Sequence, residues 1–108
     1  MTKLLVLEHS KSVRNNLRER LEFEGYVTQL AESNADVERA VARGGVDLLI
    51  VDSVDSVPNG DTPFIVLQSG ATIDSAIASL RRGAVDYIPK PVDMNRLLGS
   101  IRGCVGGG

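Results

Sequence analysis

Cysteine is almost absent from this sequence. Cys104 is the only one among 108 residues, which excludes a disulfide within the chain and a thiolate metal cluster. Such poverty in cysteine is typical of proteins of the reducing cytoplasm, and we expect that localisation. No apolar run approaches the roughly 20 residues that a membrane span needs, and the first residues carry no signal-peptide pattern. We therefore expect no membrane partner.

A strong charge of either sign is also absent. The formal net charge is −2, with 24% charged and 43% hydrophobic residues, which is the balance of an ordinary globular domain. The densest group of arginines, at 14, 18 and 20, is interleaved with glutamates at 19, 22 and 24. This pattern favours a solvated helix face over a nucleic-acid surface. We expect one domain with no direct nucleic-acid contact.

Short apolar runs alternate with helical patterns along the chain, which is typical of βαβ units around a parallel sheet. Strands are predicted at 4–7, 27–30, 48–51, 64–67 and 87–88. Helices are predicted before Gly25, before Gly44, before Gly83 and after Asp93. Either Ser10 or Ser12 can cap the first helix. The domain is predicted over 1–103, with 104–108 as a flexible tail or linker stub.

One connection breaks this alternation. The segment 53–63 joins the third and fourth strands, and it contains two prolines and a glycine but no helical period. Parallel crossovers usually contain a helix, yet an extended segment of this length can return past a short strand. The sequence therefore predicts four helices around five strands, with the third helix of a regular doubly wound domain missing or reduced to a loop.

Polar residues follow the predicted strands at their carboxyl ends, where open α/β sheets bind ligands. Glu8 and His9 follow the first strand, Asp52 follows the third, and Lys90 lies just beyond the fifth. Two carboxylates and an ammonium group should thus converge on one edge of the sheet. A carboxylate can act as a nucleophile or help to hold a cation.

Three segments together resemble the receiver domain of bacterial response regulators. They are LLVLEHS at the first strand, VDLLIVDS at the third, and GAVDYIPKPVD around the lysine, and the resemblance covers most of the chain. It implies a flavodoxin-like sheet of order 2-1-3-4-5 and Asp52 as the phosphoacceptor. It also implies Mg²⁺ held by Glu8, Asp52 and the Val54 carbonyl, with Lys90 pairing with the carboxylate and then with the phosphate.

The chain departs from that family at the site. His9 stands where the family has a second acid that ligates the metal, and imidazole suits zinc or copper better than magnesium. We therefore expect weak or absent Mg²⁺ binding. Gln68 stands where the family has a hydroxyl, with Ser69 one residue later. Tyr87 resembles the aromatic switch residue of the family, and a half-buried structural tyrosine is the alternative interpretation.

Two functions follow from the resemblance. In the first, a histidine kinase phosphorylates Asp52, and the domain controls an output domain, which by analogy with the family we expect to be transcriptional. In the second, a pseudo-receiver ignores phosphate and acts as an interaction or dimerisation module. The missing helix should leave apolar sheet surface bare, which predicts a docking or homodimer face there. No nucleotide-binding glycine motif or catalytic triad occurs, so we expect no enzymatic turnover.

Overall fold

The computed structural model describes residues 1–106. Five strands and four helices alternate along the chain: β1 (Lys3–Leu7), α1 (Lys11–Phe23), β2 (Val27–Ala31), α2 (Asn34–Arg43), β3 (Leu48–Val51), β4 (Phe64–Gln68), α3 (Ile73–Arg81), β5 (Asp86–Pro89) and α4 (Met94–Val105). The predicted order and number of elements are confirmed. Ser10 caps α1, because its side chain accepts from the Val13 N–H. Within residues 1–106, no helix is both long and apolar enough to cross a membrane.

All five strands form one parallel sheet in the order β2-β1-β3-β4-β5. Leu7 at the end of β1 pairs with Val51 at the end of β3. Glu8 and Asp52 therefore leave the sheet side by side. Gln68 pairs with Pro89 in the same way at the other half of the sheet. This register brings the predicted polar residues to one edge, as their positions at the strand ends predicted.

The core lies on both faces of the sheet. Leu4 and Val6 of β1 point into the cluster beneath α1 and α4. Leu5 and Leu7 point into the opposite cluster, beneath α2 and α3. All four are at most 1% exposed, which explains why β1 reads as an uninterrupted apolar run rather than an alternating one.

The connection from β3 to β4 contains a single turn of 3₁₀ helix, Val54–Ser56, where a regular domain has an α-helix. The expectation of a bare apolar face there is wrong. Val54 and Val57 pack against the cluster beneath α2 and α3, and Arg82 donates to the Val57 carbonyl at 3.2 Å. The sheet below is covered, because Leu49 and Val66 are at most 1% exposed. The docking face predicted from this gap accordingly loses its physical basis.

The last helix extends further than predicted. Cys104 and Val105 belong to α4, and Val105 packs against the core. The Tyr26 hydroxyl donates to the Gly106 carbonyl at 3.1 Å. The predicted tail from 104 therefore begins too early, because the apolar period of the helix continues to Val105. Residues 107–108, also assigned to that tail, lie outside the described residues.

Asp86 ties β5 to α4. Its carboxylate accepts from the Arg96 guanidinium at 2.8 and 3.1 Å, from the Ser100 hydroxyl at 2.7 Å and from the Tyr87 N–H at 2.8 Å. Burial alone would raise the pKa of Asp86, but these hydrogen bonds outweigh it and hold the pKa below the ordinary 3.8. The carboxylate therefore stabilises the fold above that pH, and the stabilisation is lost as the pH falls through the folded-state pKa.

We expect Asp86→Asn to lower the free energy of unfolding by about 1–3 kcal/mol at neutral pH, because it removes hydrogen bonds to a charged group. The difference from wild type should shrink as the pH falls below 3.8, the ordinary pKa of the group. Urea denaturation of both proteins at neutral and acidic pH measures it. A difference that stays constant across this range would show that the ionised carboxylate contributes nothing.

Candidate functional site

A buried ion pair joins the first and fifth strands at the carboxyl edge of the sheet. Lys90 Nζ lies 2.6 Å from Glu8 Oε1, and the side chains are 16% and 2% exposed. The Ser10 N–H donates to the same oxygen at 3.0 Å. Lys90 thus pairs with a carboxylate, as predicted, but that carboxylate belongs to Glu8 rather than to Asp52. Glu8 is the deeper of the two acids, so burial favours its pairing with the cation.

Asp52 is held by His9 instead. The His9 N–H donates to Asp52 Oδ2 at 3.0 Å, and His9 Nδ1 is in close contact with the same oxygen. The two residues follow neighbouring strands, so the register of β1 and β3 sets this contact. The imidazole is 70% exposed and the Asp52 side chain 13%. Asp52 is therefore partly accessible to solvent, although the exposed His9 ring already contacts one of its two carboxylate oxygens.

Two contacts at the site were not predicted from the sequence. Arg14, one turn into α1, donates from Nη1 to the Glu8 carbonyl at 3.1 Å. The Val54 carbonyl, a predicted metal ligand, accepts from the Val57 N–H at 3.2 Å. This second bond is the i to i+3 hydrogen bond that closes the 3₁₀ turn. A basic residue in the first turns of α1 could be expected to lie near the end of β1. The sequence does not show, however, that Arg14 contacts the Glu8 carbonyl, because that contact depends on the course of the connecting backbone.

The predicted switch residues are not all brought together. The Lys90 N–H donates to the Gln68 carbonyl at 3.1 Å, and Ser69 is exposed in the turn that follows. Tyr87 is buried, at 7% exposure, rather than half-buried. Its hydroxyl lies 2.5 Å from Ser75 Oγ. The hydroxyl partner of the tyrosine thus comes from α3 and not from the end of β4.

Ser75 also belongs to the cap of α3. Its N–H donates to Thr72 Oγ1 at 3.1 Å, and its Oγ accepts from the Thr72 N–H at 3.0 Å. This reciprocal capping box fixes the first turn of the helix. Tyr87 is therefore linked directly to the start of α3. The Thr72-x-x-Ser75 pattern could have indicated the capping box, but nothing in it pointed to the tyrosine.

The donors around Asp52 do not match the shell that Mg²⁺ takes, which is a near-octahedral set of oxygens. His9 stands where the family has a metal-binding acid, and its imidazole ring lies against Asp52 Oδ2. Glu8 Oε1 is shared by Lys90 and Ser10, while Glu8 Oε2 is buried and unpartnered. Within residues 1–106, no three histidine, cysteine or acidic side chains group as a metal site.

Several curated proteins that are similar to this sequence are response regulators. The chain is 31% identical over 112 aligned positions to the response regulator MprA of Mycobacterium leprae, covering 93% of this chain and 49% of that protein. It is 30% identical to MprA of Mycobacterium ulcerans, covering 93% and 48%. The chain thus spans about half the length of the curated relatives it matches. No known family profile matches it.

Solved receiver domains share the fold. A response-regulator receiver domain from Clostridium thermocellum superposes with a TM-score of 0.84 at 23% identity, over 97% of this chain and 94% of that one. The non-phosphorylated HemR receiver domain from Leptospira biflexa gives 0.81 at 21% identity, over 100% and 97%. Together, these comparisons show that the chain has the receiver-domain fold and is similar in sequence to response regulators, with departures at His9 and between β3 and β4.

Proposed function

We propose that this receiver domain accepts a phosphoryl group on Asp52 from a histidine kinase and so controls an output domain. The observation that carries the proposal is the position of Asp52 at the carboxyl end of the most buried strand, 13% exposed. It lies beside Glu8, whose carboxylate pairs with the Lys90 ammonium at the same edge. A nucleophilic carboxylate, a nearby cation and access from solvent are the elements that transfer to an aspartate requires.

The chemistry assigns different roles to the two oxygens of Asp52. Oδ2 accepts from the His9 N–H, so Oδ1 is the oxygen that attacks phosphorus. The leaving group departs as the Oδ1–P bond forms. Lys90 Nζ, at the same edge, can then pair with the phosphoryl oxygens. The new charge would bias the conformation of the Tyr87–Ser75 contact and of α3, shifting a population between two states.

The partners follow from the same proposal. A histidine kinase supplies the phosphoryl group, and the domain itself performs no separate enzymatic turnover. The curated relatives are about twice the length of this chain, which supports an additional output domain in proteins of this kind, and we take it to be transcriptional. The proposal includes no membrane and no nucleic acid as a direct partner of the receiver, and it places the protein in the cytoplasm.

A pseudo-receiver is the second candidate, and one observation favours it. His9 covers one oxygen of Asp52, and Lys90 is already paired with Glu8. A domain with this arrangement could keep the fold as an interaction module, a homodimer included, and leave Asp52 unmodified. The two candidates differ in whether Asp52 forms a covalent adduct.

Phosphorylation by a small donor separates them. We expect brief treatment with phosphoramidate to add one phosphoryl group to the wild-type protein, measured by intact mass. Asp52→Asn should abolish the adduct, because the amide is not a nucleophile toward phosphorus. Asp55→Asn is the matched control, since Asp55 is an exposed acid in the adjoining 3₁₀ turn, and it should leave the adduct unchanged. No adduct on any of the three proteins would favour the pseudo-receiver.

A further inference from the structure

His9 makes an unusual pair of contacts with Asp52. Its backbone N–H and its ring Nδ1 both lie against Oδ2. With both nitrogens against it, Oδ2 has no lone pair left to bind a further ligand on the side that faces His9. The ring is held by its neighbour and not by packing, since it is 70% exposed. The position beside the acceptor carboxylate is thus filled by the chain itself.

The other oxygens at this edge are also largely committed. Glu8 Oε1 has two donors, Lys90 Nζ and the Ser10 N–H. The Val54 carbonyl accepts from Val57. Of the carboxylate oxygens of Glu8, only Oε2 is buried without a partner. Mg²⁺ keeps several waters and is held in proteins by one or two carboxylates, and here both nearby carboxylates already pair with nitrogen donors through one oxygen.

We propose that His9 takes the place of a divalent cation at Asp52, so that the site neither binds Mg²⁺ nor needs it. The two His9 nitrogens fix the Asp52 carboxylate through Oδ2 and leave Oδ1 for the attack on phosphorus. Hydrogen-bond donors that fix a carboxylate in advance can supply part of the positioning and electrostatic stabilisation that a metal ion otherwise provides. His9 is on this account a positioning residue, because it acts through Asp52 rather than on the phosphoryl group.

The second half of this inference, independence from Mg²⁺ in phosphorylation, rests on the proposed function. With phosphoramidate as donor, Asp52 Oδ1 forms a bond to phosphorus while the P–N bond breaks. The amine, already protonated in the donor, leaves as ammonia, so atoms and charge balance without a metal ion. The first half, the absence of Mg²⁺ binding, is independent of any phosphorylation.

Isothermal titration with MgCl₂ tests the first half. We expect no binding heat for wild type through the millimolar range. His9→Asp adds a carboxylate beside Asp52, and it should give a clear binding heat in the same range, with an affinity about 10-fold or more above the detection limit set by wild type. The control is Ser12→Asp, which adds the same charge at an exposed position of α1 and should leave Mg²⁺ affinity unchanged. Wild type or Ser12→Asp binding as tightly as His9→Asp would overturn the proposal.

Phosphoramidate treatment in the presence of Mg²⁺, and in the presence of EDTA instead, tests whether phosphorylation is independent of Mg²⁺. The wild-type adduct should form at the same rate in both conditions, and EDTA should slow the His9→Asp adduct about tenfold or more. A wild-type adduct that appears only with Mg²⁺ would overturn the role of His9. Absence of any wild-type adduct in both conditions would instead refute Asp52 as the acceptor, and the MgCl₂ titration would still decide the metal question.

Discussion

Replacing Lys90 with alanine should lower the free energy of unfolding by about 3–5 kcal/mol at neutral pH, because it leaves a buried charge without its partner. Glu8 is 2% exposed, and its Oε1 lies 2.6 Å from Lys90 Nζ. Its Oε2 already lacks a partner. The Ser10 N–H alone would then face the carboxylate. Urea denaturation of wild type and Lys90→Ala measures the loss.

Two controls separate this effect from the loss of an ordinary surface charge. Arg18→Ala removes one member of an exposed pair, in which Arg18 and Glu22 are 50% and 49% exposed, and should cost at most about 1 kcal/mol. In a Glu8→Gln background, Lys90→Ala should cost much less than in wild type, since no buried charge remains. Equal costs for Lys90→Ala in both backgrounds would contradict the account of a buried ion pair.

Ile50→Ala should cost about 2–5 kcal/mol, because it opens a cavity in the most central strand. Ile50 is fully buried in the cluster beneath α1 and α4. It pairs with Val6 of β1 on one side and with Ile65 of β4 on the other. Rigid strands on both sides leave little freedom for the site to collapse. The free energy of unfolding from urea denaturation gives the value.

Val27→Ala is the matched control for Ile50→Ala. Val27 is also an aliphatic strand residue, but it lies on the edge strand β2 and is 42% exposed. We expect a loss below about 1 kcal/mol, set by strand propensity rather than by a cavity. Similar losses at the two positions would mean that the sheet centre is less tightly packed than the burial of Ile50 implies.

The strands and helices could be predicted from the sequence because each is indicated by a pattern within its own short segment. An uninterrupted apolar run such as 48–51 predicts a strand buried on both faces, and the glycines at 25, 44 and 83 mark helix ends by their positive φ. The sheet order came from the resemblance to receiver domains. The missing helix was also predictable, since 53–63 has no helical period. Covering of the sheet by Val54 and Val57 was not, because loop paths depend on long-range packing.

Site residues could be predicted, but their pairings could not. Strand ends brought Glu8, Asp52 and Lys90 to one edge. Which carboxylate the lysine meets depends on burial differences that no sequence period encodes. The contact between Tyr87 and Ser75 could not be predicted for the same reason, since it joins β5 to the first turn of α3 and depends on how these two elements pack. Patterns of one element predict that element, whereas contacts between elements need the packed fold.

We propose that Asp52 is the residue of this domain that attacks phosphorus. Borohydride reduces an aspartyl phosphate to homoserine, so treatment of the phosphoramidate-reacted protein marks the acceptor permanently. Peptide mapping by mass spectrometry should then find homoserine at position 52 and at no other acid. Reduction without any homoserine, homoserine at Asp55, or 2-amino-5-hydroxypentanoic acid (the product from a glutamyl phosphate) at Glu8 would show that Asp52 is not the acceptor.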